Sequence, residues 1–173
     1  MTAADPDRVR DDSDPDVDDL SGTLDTLSPE QQRGLAATFT PRLTKYVVER
    51  PTPRQTAFLL LDDTLEVFFG GSAFGGKSRA VLMAALQYVD VPGYAALILR
   101  QDYGQLSQPG ALMDLAHDWL DDSDATWSEK HKRWKFPSGA TLTFGYLKKP
   151  ADRERYQGPS YQFIAWDEAT QFV

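Results

Sequence analysis

One run, Gly70-Gly71-Ser72-Ala73-Phe74-Gly75-Gly76-Lys77-Ser78, constrains this chain more than any other. From Gly71 it has the spacing of a phosphate-binding loop, glycine, four residues, then Gly-Lys-Ser. The spacing has a physical reason. Glycines let the backbone turn tightly and aim successive N–H groups inward, which makes an anion cradle at a helix N-terminus. In that cradle the backbone of Gly71, Ser72, Ala73, Phe74, Gly75 and Gly76 is expected to surround the phosphates. Lys77 would then reach the β- and γ-phosphates, and the Ser78 hydroxyl would ligate magnesium. The flanks fit the same reading. Leu65-Glu66-Val67-Phe68-Phe69 has strand character, and Arg79 to Tyr88 is rich in Ala, Leu and Met at helical spacing. Strand, glycine loop and helix are therefore expected in that order.

A second stretch supplies what the first lacks. Phe163-Ile164-Ala165-Trp166-Asp167-Glu168 reads as a buried strand ending in two carboxylates. Open α/β sheets bind ligands at the carboxyl edge of their strands, so both acids are expected there. Asp167 is the candidate to hold magnesium, and Glu168 the candidate base that orients and deprotonates an attacking water. Phosphoryl transfer also needs a cation at the γ-phosphate. Arg100 at a strand end and Arg153 and Arg155 before the last strand are candidates, with Arg79 a weaker one.

The rest of the chain reads as one domain. Met1 to Thr26 is Asp-rich and interrupted by Pro6 and Pro15, so it cannot bury enough surface to offset its ordering entropy. It is expected to be a disordered acidic tail, with residues 27–173 folded. The tail dominates the charge: residues 1–20 hold eight Asp and two Arg, leaving only −2 of the total −8 for everything after. Such a chain does not grip nucleic acid by bulk charge. No cysteine is present, which excludes a disulfide framework and cysteine-ligated zinc. His117 and His131 lack metal-ligand spacing. No signal segment opens the chain, and no apolar run approaches the roughly 20 residues of a membrane span. A soluble protein of a reducing interior is expected.

Ser28-Pro29-Glu30-Gln31 and Thr52-Pro53-Arg54-Gln55 both carry cap-then-proline helix starts, the first helix running to about Phe39 and the second through Leu61. Ala95–Leu99 reads as a buried strand, Ala111–Leu120 as a helix, and the runs around Pro137-Ser138-Gly139 as a hairpin. Alternating helices and strands argue a parallel α/β sheet flanked by helices, with a β-hairpin insertion. The basic run Lys130 to Lys135 reads as a solvated hairpin loop with Trp134 facing the core, in preference to a nucleic-acid contact. On chemistry alone Gln55 is a surface glutamine, although its amide has the donor and acceptor that suit adenine.

Together these residues resemble the ATPase domain of the large terminase subunit, the P-loop NTPase that drives DNA packaging in tailed phages and related viruses. The pieces are Pro51-Thr52-Pro53-Arg54-Gln55, Gly71 to Ser78 as Walker A, and Leu97-Ile98-Leu99-Arg100. Tyr156-Gln157-Gly158 and Ile164 to Glu168 as Walker B complete them, over about residues 45–173. The resemblance implies ATP and Mg2+ as cofactors and Gln55 as an adenine contact. It also implies Arg100 or Arg155 as γ-phosphate sensor or finger. Implied partners are double-stranded DNA, a viral portal and a small terminase subunit, in a ring of copies within the host cytoplasm. Proteins of this family continue past Walker B into a coupling motif, further strands and a nuclease domain. Here the sequence stops at Val173, so a sheet incomplete at the C-terminus and no DNA cleavage are expected. Alternatives are a helicase-like P-loop ATPase and a catalytically silent nucleotide-binding fragment.

Overall fold

The computed structural model describes residues 27–61, 63–70 and 76–172. The expected acidic tail and residues 71–75 of the glycine loop lie outside them. The chain forms two compact units that meet in sequence at Thr40 and Pro41. The described part of the first is helix α1, Pro29–Thr38. Its start is the reciprocal cap expected from Ser28 and Gln31: the Gln31 N–H donates to Ser28 Oγ at 3.2 Å and the Ser28 N–H to Gln31 Oε1 at 2.9 Å.

The second unit carries α2 (Pro53–Leu59), α3 (Lys77–Leu86), β1 (Ala95–Arg100) and a single turn α4 (Tyr103–Leu106). Then come α5 (Leu112–Leu120), β2 (Thr126–Ser128), β3 (Arg133–Lys135), β4 (Thr141–Tyr146) and β5 (Phe163–Trp166). A 3₁₀ segment, Pro150–Tyr156, precedes β5, and a shorter one, Ala169–Gln171, follows it. The five strands form one sheet in the order β2-β3-β4-β1-β5. β4, β1 and β5 are parallel, whereas β2-β3 and β3-β4 are antiparallel. The sheet is therefore mixed. The hairpin was expected as an insertion, but β3 and β2 extend the same sheet beyond β4.

Residues of β1 alternate between two apolar environments, as the period-two pleat requires. Ala96 and Ile98 belong to the main core, shared with α3 and α5. Leu97 and Leu99 line a groove on the opposite face, with Tyr156, Ile164 and Trp166. α5 presents Leu112, Leu115, Ala116, Trp119 and Leu120 to that core while Asp118 stays in solvent. At roughly 1.5–3 kcal/mol for each large side chain enclosed, this stripe outweighs the weak helix preference of a nine-residue segment. Trp134 is buried, as expected.

One expected strand is not formed. Leu65–Phe69 is irregular, with Leu65 97% and Phe68 80% exposed. Phe69 stacks on Phe58 of α2 at 4.6 Å. Strand-forming side chains do not suffice without a ladder partner for the backbone. Among the described residues β5 pairs with β1 alone. No described helix is long and apolar enough to cross a membrane.

Candidate functional site

The three parallel strands end at one edge. Arg100 is the register partner of Tyr146 on one side, and Leu99 that of Trp166 on the other. The Asp167 N–H donates to Leu99 O at 2.9 Å, so this residue is still held by the ladder when the strand stops. Glu168 then takes a left-handed conformation, φ 56° and ψ 51°, which turns the chain into the last 3₁₀ segment. A non-glycine residue there costs about 1–2 kcal/mol, so the turn is maintained against a local preference.

Asp167 is mostly enclosed, and Arg100 Nη1 stands 3.1 Å from its Oδ2. Burial raises the proton affinity of the Asp167 carboxyl above the ordinary carboxylate range. The charge of Arg100 opposes that rise, the charge of Glu168 adds to it, and the positive charge of Lys77 opposes it. Asp167 therefore feels the charges of both Lys77 and Glu168. All three line the same cleft of about 620 Å³, between Val67–Gly70 and β5.

Gly76 opens α3 from a left-handed conformation, φ 72° and ψ 18°, that glycine adopts without strain. Its carbonyl accepts the Ala80 N–H at 3.0 Å and Gln55 Nε2 at 2.9 Å. Lys77 and Ser78 thus occupy the first turn of a ten-residue helix, where partial positive charge is concentrated.

The arginine candidates separate clearly. Arg100 holds Asp167 and also donates through Nε to Gln105 Oε1 at 3.1 Å. Arg155 belongs to β4's end. It stacks over the Tyr146 ring at 4.7 Å, donates Nη1 to the Tyr146 hydroxyl and approaches Asp152 at 3.6 Å. Arg79 pairs with Glu49 at 2.8 Å on the surface, and Arg153 lines the groove on the other face. In the basic run, Lys132 pairs with Glu129 and lies over the Tyr103 ring.

Gln55 is not a surface residue: it is 4% exposed. Its Oε1 accepts the Thr52 N–H at 2.8 Å while Nε2 donates to Gly76. Sequence reasoning found the cap and missed the bond to the loop, since nothing in local spacing reports a partner 21 residues away. Tyr146 and Gln105 were also missed, both being ordinary polar residues until the topology brings them to Arg155 and Arg100.

For magnesium, the donors on offer are the Asp167 carboxylate and the Ser78 hydroxyl. Among the described residues no three His, Asp or Glu side chains cluster as a metal site. A sparse set of hard oxygen donors suits a cation that keeps several waters and takes phosphate oxygens.

These observations define an α/β protein whose glycine-capped helix faces an acidic strand end across one cleft. The chain belongs to the family described as terminase large subunit, T4likevirus-type, N-terminal, whose model matches residues 68–173. The family suggests a role in viral DNA packaging. No curated protein and no solved structure matches the chain.

Proposed function

We propose that this chain is the ATP-binding and ATP-hydrolysing motor domain, of P-loop NTPase type, of a terminase large subunit that packages viral DNA into capsids. The observation carrying the reading is the shared cleft: Lys77 lies on its wall together with Asp167 and Glu168, although the two acids follow it by some ninety positions, and Asp167 feels the charge of both others. Gly71 to Ser78 would cradle the phosphates, with Lys77 on the β- and γ-phosphates. Ser78 and Asp167 would hold Mg2+, which supplies charge neutralisation on the phosphate oxygens when bound. Glu168 would orient the water and accept its proton. Arg100, already at the strand end, is better placed than Arg155 to answer charge at the γ-phosphate. DNA, a portal, a small terminase subunit and further copies of the chain would be its partners, in the host cytoplasm.

The test is calorimetric titration with MgATP and steady-state phosphate release. Lys77→Ala should abolish binding. Glu168→Gln should keep binding within a few-fold while lowering turnover by about 100-fold or more, as loss of a general base does. Unchanged affinity in Lys77→Ala would refute the site. Binding without turnover by the unsubstituted chain would leave a nucleotide-binding piece and no motor.

A further inference from the structure

We infer that Gln55 is a positioning residue for Lys77, acting through the Gly76 carbonyl, and that this tie supports phosphate binding whichever base the nucleotide carries. The inference rests on the nucleotide site proposed above. Polar side chains are rarely enclosed in this fold: among the described residues the buried polar or charged ones are Gln55, Gln87 and Asp152. Two of the three join the same pair of helices. Gln55 Nε2 ties the first turn of α2 to Gly76 at the start of α3, at 2.9 Å. Gln87 Nε2 ties the end of α3 to Leu59 O at the end of α2, at 3.1 Å. The two helices are thus clasped at both ends, and α2 acts as a splint along α3.

At the loop end this clasp has a consequence for phosphate. Two donors, Gln55 Nε2 and the Ala80 N–H, converge on the Gly76 carbonyl. The described chain has no cis peptide, so the Gly76–Lys77 peptide is planar and trans, and its N–H points opposite to its C=O. Fixing the carbonyl therefore fixes the direction of the Lys77 amide and the origin of its side chain. The approach is close: a Cβ at residue 76 would stand 2.8 Å from Gln55 Nε2, in a backbone conformation that already favours glycine. The oxygen serves the Thr52 N–H with one of its two lone pairs and the nitrogen serves Gly76 with one of its two hydrogens. The tie to Gly76 therefore stands apart from any contact the amide makes to a base.

The experiment measures Mg2+-dependent binding of ATP, GTP and inorganic tripolyphosphate by calorimetry, in the full chain. Gln55→Met keeps length and removes both bonds. All three ligands should then lose affinity, the base-free tripolyphosphate included, by about 10-fold. Gln87→Met breaks the far clasp and serves as the matched control: it should lower the melting temperature and leave tripolyphosphate affinity within two-fold. If Gln55→Met does not fold, Gln55→Asn makes the same comparison with an amide too short to reach Gly76. Loss confined to ATP, with tripolyphosphate unaffected, would overturn the inference in favour of base reading. Equal tripolyphosphate affinity in both Gln55 variants and the unsubstituted chain would overturn it as well. An unsubstituted chain that binds none of the three ligands would refute the nucleotide site itself, and the clasp's role with it.

Discussion

Arg100 and Asp167 are the pair on which the candidate site is most sensitive to a single change. Their side chains retain only 19% and 11% of their exposure, and they meet at 3.1 Å. Deleting one partner of an enclosed ion pair leaves the other charge without compensation, which costs more than the pair contributes. Arg100→Ala should therefore destabilise the fold by roughly 2–3 kcal/mol, below the 3–5 of a fully enclosed pair because some water still reaches both groups. Adding Asp167→Asn to Arg100→Ala should recover much of that loss, since the orphaned charge disappears. Urea unfolding of the two single variants and the double variant measures the coupling. A coupling below about 0.5 kcal/mol would mean that the pair behaves as a solvated surface bridge. Both residues were legible in the sequence, Asp167 by its place at a strand end and Arg100 by the same logic. Their mutual contact was not, because it depends on β1 and β5 being neighbours, which residue spacing does not encode.

Between the elements, the 3₁₀ segment is the piece that local pattern did not disclose. Residues 148–157 read as a charged, polar connection. In the structure their last side chain before Gln157, Tyr156, returns to the end of β4. Its hydroxyl accepts the Tyr146 N–H at 2.9 Å and donates to Tyr146 O at 3.2 Å. Gly145 permits this, since a Cβ there would overlap the Tyr156 ring carbon at 2.8 Å and press on Leu99. Gly145→Ala should cost about 1–3 kcal/mol by overpacking. Tyr156→Phe should cost about 1–2 kcal/mol by leaving the Tyr146 N–H without its acceptor. Chemical unfolding of both variants checks this, and a neutral Gly145→Ala would show that Tyr156 is free to move aside. The caps of α1 and α2, the hairpin and the stripe of α5 were readable because each is written within a few residues. The Leu65–Phe69 strand was misread for the opposite reason: its side chains favour a strand, yet a strand needs a backbone partner from elsewhere in the chain.

Across the whole molecule, the order β2-β3-β4-β1-β5 gathers three parallel strand ends at one edge. Alternation of helices and strands made the class readable, whereas the hairpin's place in the same sheet depends on β4 finding β1, a pairing across some forty residues. The same long-range closure operates away from the site. Lys45 Nζ and the Tyr46 hydroxyl, both ahead of α2, donate to Asp124, nearly eighty residues later, at 2.6 Å and 2.7 Å. Tyr46 also packs edge-on against Phe136 at 4.8 Å. The Lys45 bond first, and the Tyr46 bond second, hold the Asp124 carboxyl below the ordinary carboxylate range. Burial raises the Tyr46 hydroxyl above its usual value, so it remains a donor. The unfolded chain then binds the Asp124 proton more readily than the folded one. Stability from this contact is full above the unfolded carboxylate range, near pH 4, and is lost as pH falls through it towards the lowered folded value. Asp124→Asn removes the charge and keeps an acceptor for Tyr46. Thermal melts from pH 7 to pH 2 should show the unsubstituted chain more stable at neutrality, with the gap narrowing below about pH 4. A gap that stays constant with pH would show that Asp124 is held no differently in the folded chain than in the unfolded one.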